Sequence, residues 1–271
     1  MSIVITTGFS EFSCLMVNKP FEYHLLNTSH TFPRYIYYND KNNNEDDSQS
    51  SLFQDKSTVV NNLNPEIVSL FKKKLNKKVT EDQIFYYVYG ILHSDHYRKK
   101  FHNNLIKGMP RIPIVKYKDF MQIYDIGKKL SNLHLDFDNQ RLYGAKFNVD
   151  FHNNKKKYPK EEFYNISQIN FVGTRSSPDK TQIKFNNYIT IKDIPLEAYD
   201  YRLSGKSAIE WIMERHSVKK DDKTGFTNDI NEFNKEAMKD PSYSFNLLLK
   251  IIHISVETQK LIKKIPKINL I

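Results

Sequence analysis

Between Thr80 and Ile106 the stretch TEDQIFYYVYGILHSDHYRKKFHNNLI repeats apolar residues at helical spacing, and it constrains the fold more than any other. Thr80 can cap this segment with its hydroxyl while Gln83, three residues on, reaches back to the cap amide, a capping box. Ile84, Phe85, Val88, Ile91 and Leu92 form one apolar stripe. Tyr97, Phe101 and Leu105 resume it at steps of four, after a polar interruption at His93–His96. Gly108, Pro110 and Pro113 stop the pattern, because glycine tolerates the left-handed turn and proline lacks an amide donor. The reading is a core helix, or two in succession, leading into the basic run GMPRIPIVKYK.

With 271 residues the chain can bury a substantial core, and 39% hydrophobic content with 13% aromatic residues marks it as globular. No window approaches the roughly 18 consecutive apolar residues that a membrane helix needs. The N-terminus lacks the charged-then-apolar layout of a signal peptide, so a cytoplasmic protein with no membrane partner is expected. Cys14 stands alone, which excludes an internal disulfide framework and a cysteine-based zinc cluster. The net charge of +10 favours a polyanionic partner, nucleic acid before membrane. Enrichment in Asn, Lys, Ile, Tyr and Phe is also what an AT-rich genome gives by codon drift, so basicity alone does not settle the partner.

Other segments fill in an α+β order. The first residues, SIVITTGFSEFSCLMVNKPFEYHLL, read as extended structure with a turn near Asn18–Pro20, followed by a short strand at Tyr35–Tyr38. The β-type run directly after Met1 resembles a start inside a larger architecture, and a genuine N-terminal strand would read the same way. Residues 39–57 are polar and of low complexity, and a mobile loop is expected there. Asn64 and Pro65 open a helix with Ile67, Leu70, Phe71 and Leu75 on one face, and its Lys72–Lys74 run reads as solvated. Asp119 can cap a third helix carrying Phe120, Ile123, Gly127, Leu130 and Leu133. The period then changes: Arg141–Val149, Phe163–Val172 and Gln182–Ile191 read as strands. The last sets Ile183, Phe185, Ile189 and Ile191 on one side, with Lys184 and Asn186 on the other. Helical period returns at Ser207–His216, opened by a Ser207–Glu210 capping box, and again from about Ser242 to Lys264, before Pro266. Strands, helices, strands, helices in that order argue for mixed α+β structure rather than a doubly wound sheet, treated as one domain over 1–271.

Chemical motifs are mostly absent. Gly205-Lys206-Ser207 ends like a phosphate loop, but Asp200 stands where the motif's first glycine must be, so a helix start is the better reading. Asp240-Pro-Ser-Tyr243 resembles the amine-holding motif of amino-methyltransferases, yet it precedes a helix and no glycine-rich donor turn lies upstream; it reads as a helix-entry turn. His93, His96 and His102 lack a firm third ligand and read as exposed polar positions. No nucleophile, base and orienting acid stand at recognisable spacing, so no catalytic centre and no metal are expected. What remains is a set of basic residues interleaved with planar ones on loops: Arg111, Lys116, Tyr117 and Lys118; Lys155, Lys156 and Lys157; Arg175 and Lys180; Arg202. Arginine can read guanine through two acceptors while lysine mostly anchors phosphate, so these are the candidate DNA-binding residues. Ordinary solvated loops would look the same in composition.

Five stretches carry a resemblance. FYYVYGILHSDHYR (85–98), MPRIPIV (109–115), GKSAIEWIMERH (205–216), GFTND (225–229) and SVET (255–258) are similar, in order, to the C-terminal specificity domain of type ISP restriction-modification enzymes. The resemblance covers most of the chain from about residue 20 onward. In that family one polypeptide joins a nuclease, a helicase-like ATPase, an adenine methyltransferase and this target-recognition domain. It implies that this chain reads a short asymmetric site on double-stranded DNA and directs methylation and cleavage performed elsewhere. S-adenosylmethionine, ATP and Mg are then expected only for other domains, supplied in the same polypeptide or by partners. Two further classes stay open: a part that completes a methyltransferase, and a protein-interaction subunit without DNA preference. The quoted motifs look like scaffold and do not themselves identify base-reading residues.

Overall fold

The computed structural model describes residues 1–6, 11–21, 25–26, 29–39, 57–143, 150–151 and 159–268. Its contacts gather the chain into two compact units, Met1–Leu135 with Lys264–Ile271, and Asp136–Lys263. Both mix strands with helices, which is the expected α+β class. Among the described residues no helix is long and apolar enough to cross a membrane.

The first unit begins with strands β1 (Ser2–Thr6), β2 (Ser13–Val17) and β3 (Ser29–Pro33) in an antiparallel sheet ordered β2-β1-β3. Ile3, Val4 and Ile5 of the central strand are buried on both faces. β4 (Tyr35–Asn39) and β5 (Ser57–Asn61) pair as a two-stranded ribbon, and the expected mobile loop between them lies outside the described residues. Helix α1 (Pro65–Leu75) starts as its sequence requires, with the Asn64 side chain accepting from the Glu66 amide at 2.8 Å. Its inward face is Val68, Phe71 and Leu75, whereas Ile67 and Leu70 are exposed, contrary to expectation. The Phe71 ring sets the rotation, packing edge-on to Tyr87 and against Phe120.

The opening stretch forms three helices: α2 (Glu81–His93), α3 (Asp95–Lys100) and α4 (His102–Lys107). Both hydrogen bonds of the Thr80–Gln83 capping box are made. Ser94 ends α2 in extended backbone and its side chain caps α3. Helix α5 (Tyr117–Leu135) begins two residues before the expected Asp119 cap and buries Phe120, Ile123, Ile126, Gly127 and Leu130. α2 packs chiefly against α5 and also touches β2, and it is buried around most of its circumference, Tyr87 and Tyr89 included. The histidine reading changes accordingly. His93 is buried with Nδ1 2.9 Å from the Tyr89 carbonyl, His96 is half-buried, and only His102 is exposed.

In the second unit, β6 (Asp150–Phe151) follows a stretch expected as a strand; Arg141–Tyr143 is not one, and 144–149 lie outside the described residues. The run Phe163–Val172 is likewise mixed: the short helix α6 (Lys160–Phe163) comes first, and β7 (Asn170–Thr174) starts only at its end. The single strand expected over Gln182–Ile191 is a hairpin of β8 (Ser177–Lys184) and β9 (Ile189–Ile191), in a sheet ordered β6-β9-β8-β7. Ile183 pairs with Ile191, so Ile183, Phe185, Ile189 and Ile191 still share one buried face. Directly opposed residues of an antiparallel pair point the same way, so the period of two survives the reversal. Asn186 is buried at the turn, not on an outer face. Its carbonyl oxygen accepts from the amides of Tyr188 and Ile189, both at 2.8 Å, and its NH2 donates to Phe163 and Asn165 carbonyls.

A small hairpin of β10 (Arg202–Leu203) and β11 (Lys206–Ser207) delivers α7 (Ala208–Arg215), whose Ser207–Glu210 capping box is complete. The GKS sequence is thus a turn and a helix cap. A second hairpin, β12 (Lys219–Lys220) with β13 (Thr227–Asn228), precedes α8 (Ile230–Glu236). Asp240 accepts from Ser242 at the entry to α9 (Tyr243–Ile262), as a helix-entry turn requires. The core gathers Ile183, Phe185, Ile189 and Ile191 from the sheet with Ile209 and Met213 of α7 and Leu248, Ile252 and Val256 of α9.

Candidate nucleic-acid interface

In the first unit the chain leaves α4 at Gly108 and runs without regular structure to Lys116. Two tyrosine hydroxyls hold this run from below. Tyr97 donates to the Arg111 carbonyl at 2.9 Å and Tyr87 to the Pro113 carbonyl at 2.6 Å. Burial pushes both phenols up, that of Tyr97 to about 12, so both remain protonated donors in any ordinary buffer. Val115, nearly inaccessible, plugs the run into the core. With its carbonyls turned inward, Arg111 is left exposed, as are Lys116, Tyr117 and Lys118. Tyr117 and Lys118 sit in the first turn of α5 rather than on the loop, and the Lys77 ammonium lies 5.9 Å from the Tyr117 ring centre. Free amides of that turn add partial positive charge beside the lysines, with Asp119 the one acid there.

In the second unit Arg175 and Ser176 are the two turn residues between β7 and β8, since Thr174 pairs with Ser177. Gly173, two residues before Arg175 at the end of β7, has a φ of +99°, and a Cβ there would sit 2.7 Å from the Ser177 carbonyl oxygen, so the position favours glycine. Arg175 is exposed and makes no ion pair with a described residue. Lys180 is held differently. It pairs with Glu210 at 3.0 Å and lies 5.5 Å from the ring centres of both Phe171 and Tyr199. Burial raises the Glu210 carboxyl, but hydrogen bonds from Ser207 and Lys180 outweigh it and keep the group below the usual carboxylate range. Arg202 donates to the Gly205 carbonyl across its own hairpin and pairs in register with Ser207. Lys180, through Glu210, and Arg202, through Ser207, are thus each tied to the start of α7. Lys155, Lys156 and Lys157 lie outside the described residues.

Sequence reasoning missed the two tyrosine pins, whose one signal was a hydroxyl-bearing ring where phenylalanine would fill the apolar stripe. It also missed Trp211, which donates to the Leu203 carbonyl at 2.6 Å and stacks under Lys206 and Arg215, at 4.9 and 5.4 Å from its ring centre. Its spacing of four from Arg215 on α7 was visible. No group of three or more potential metal-ligating side chains gathers among the described residues.

This geometry can be set beside known proteins. Residues 1–247 match the Type ISP C-terminal specificity domain. The structure of the ATP-dependent Type ISP restriction-modification enzyme LlaBIII bound to DNA is similar over 100% of this chain and 16% of that one, at 32% identity and a TM-score of 0.79. A nuclease-deletion mutant of the Type ISP enzyme LlaGI, in complex with a DNA substrate mimic, is similar over 100% of this chain and 18% of its own, at 30% identity and a TM-score of 0.72. The DrdV–DNA complex shares the fold over 99% of this chain and 25% of its own, with a TM-score of 0.76 at 21% identity. No protein of curated function matches. The chain spans less than a fifth of the two Type ISP enzymes it resembles. It belongs to the Type ISP C-terminal specificity domain family.

Proposed function

We propose that this chain reads a short site on duplex DNA, and that methylation and cleavage directed by that reading are carried out by methyltransferase and helicase-nuclease domains in the same polypeptide or in partners. The observation that carries this is family membership together with the DNA-bound state of the LlaBIII and LlaGI structures. Exposed arginines on rigid supports favour it. The Arg111 carbonyl accepts from the Tyr97 hydroxyl and the Pro113 carbonyl from that of Tyr87, while Arg175 sits on a two-residue turn just after Gly173, whose φ of +99° favours glycine. In this reading Arg111 and Arg175 face base edges, while Lys116, Lys118, Lys155, Lys156 and Lys157 meet phosphate. Lys180 and Arg202 contribute by shaping the α7 entry as well as by charge, and the cell interior is where such a protein works.

A randomised duplex pool, selected by gel shift, tests the proposal. An enriched site should appear, and binding should weaken steeply with salt: four phosphate contacts would give a log–log slope of about −3.6. A pool without enrichment, bound weakly and independently of salt, would sink it. Methyl transfer by this chain alone should be silent and should appear only with a methyltransferase polypeptide.

A further inference from the structure

The loop between β12 and β13 holds an exposed aromatic ring inside one of the scaffold-like motifs. Phe226, within the GFTND stretch, is 71% exposed, more than any other large apolar side chain among the described residues. Its ring touches no described ring or cation. The loop beneath it is tightly built. The Asp221 carboxylate accepts from the amides of Lys223 and Thr224 at 2.9 and 2.8 Å. The Asp221 amide donates to the Phe226 carbonyl and the Gly225 amide to the Asp221 carbonyl, both at 2.8 Å. Gly225 supplies the left-handed residue at φ +71°. These hydrogen bonds hold the turn in one conformation with the phenylalanine ring out in water, so a partner that covered it would pay little to order the loop.

We infer that Phe226 enters a groove of the duplex and makes apolar contact with base edges, flanked by Lys220 and Lys223 on phosphate. This rests on the proposed DNA reading and adds a contact residue to it. Phenylalanine meets the thymine methyl or the face of a base step without hydrogen bonds. The surroundings favour DNA over a protein surface. Lys220, Asp222, Lys223, Thr224, Thr227 and Asn228 are all exposed around the ring, whereas the core of a protein interface excludes lysine and aspartate in favour of a contiguous apolar patch. Asp221 is committed to the turn amides, and Lys220 and Lys223 form no ion pair with a described residue, which leaves them available to phosphate.

The test measures affinity of the full chain for the enriched duplex across a salt series. Phe226→Ala should weaken binding about tenfold or more with the salt slope unchanged, because the lost contact is apolar. Phe226→Tyr, which keeps the ring, should retain most of the affinity. The double substitution of Lys220→Ala and Lys223→Ala should make the slope shallower by about 2. An unchanged melting curve for each variant keeps folding out of the comparison. If the parent binds DNA and Phe226→Ala binds equally well, or loses affinity only for a methyltransferase polypeptide, this inference fails while the DNA reading stands. If the parent binds no DNA, both fail.

Discussion

Gly127→Ala should destabilise the first unit by about 3 kcal/mol, although the same change in an exposed helix would gain about 1. The reason is the crossing of α2 and α5, where two glycines face each other. A Cβ on Gly127 would overlap the Tyr86 carbonyl oxygen and approach the Gly90 amide nitrogen at 2.8 Å. A Cβ on Gly90 would meet the Ile123 carbonyl oxygen at 2.6 Å. Ordinary contact begins at 3.4 Å and the Tyr86 oxygen lies 2.0 Å from that Cβ, so the helices must separate by about 1 Å or more, because backbone cannot rotate away as a side chain can. That gap would loosen the Tyr87–Phe120 pair, now 4.6 Å between ring centres, and a gap of that size forfeits about a quarter to a half of each contact's attraction. Overpacking typically costs about 1–3 kcal/mol and more where relaxation is blocked, and it must first cancel the propensity gain. The expected fall in the thermal midpoint is about 6–12 °C, read by calorimetry or circular dichroism. Gly108→Ala is the control: nothing lies within 4 Å of its Cβ, its φ of −174° suits any residue, and its midpoint should not move. A Gly127→Ala variant as stable as the parent would refute the reasoning, and a more stable one would show that propensity alone governs the site.

Tyr97→Phe and Tyr87→Phe each remove one hydroxyl from beneath the Arg111 run; each should cost about 1 kcal/mol of stability and blunt site selection while leaving the salt slope intact, and full selectivity in both variants would disprove the pinning role. Arg111→Ala or Arg175→Ala should relax preference at one base pair by about 1–3 kcal/mol if the arginine reads guanine, measured by reselection from the randomised pool; unchanged preference in both would remove them from the reading surface. Burial, with Arg98 nearby, lowers the His134 pKa to about 3, so the folded state holds this imidazole neutral while the unfolded chain protonates it near 6.5. Stability from this group is present above pH 6.5 and is lost as pH falls toward 3, at up to about 1.4 kcal/mol per pH unit. His134→Gln should flatten denaturant-derived stability between pH 6.5 and 4, and a slope equal to the parent's would overturn the assignment.

What the sequence made legible was local. Thr80 with Gln83, Ser207 with Glu210, and Asn64 before Pro65 each satisfy their own helix amides within a few residues, and each stands in the structure as read. The same holds for the turn at Asp240. Rotation about a helix axis was less legible, because Ile67 and Leu70 are as apolar as Val68; the Phe71 ring, docked on distant Tyr87 and Phe120, decided which of them is buried. The β8–β9 reversal was hidden for a different reason. Period two is identical for one strand and for a hairpin with paired register, and only the Asn186 side chain, which closes the turn, tells them apart.

The candidate interface divides along the same line. That Arg111 and Lys116 stand exposed follows from loop chemistry and was readable; that the backbone at Arg111 is held from the core was not. The Arg111 carbonyl is held by the Tyr97 hydroxyl on α3 and the Pro113 carbonyl by the Tyr87 hydroxyl on α2, and the distance of Arg111 from Tyr97 in sequence gives no hint of the bond. An arginine free to swing would lose conformational entropy on binding and would discriminate poorly, since each immobilised long side chain costs about 0.5–1.5 kcal/mol. Pinning the backbone beneath it lowers the cost of presenting the guanidinium in one place. On the proposed DNA reading, the packing of α2 against α5 bears on recognition as well as on stability: a shift of the α2–α5 crossing would move Tyr87, and with it the Pro113 carbonyl within the Arg111–Lys118 run. If that coupling holds, Gly127→Ala should blunt site selection even at temperatures where the variant remains folded.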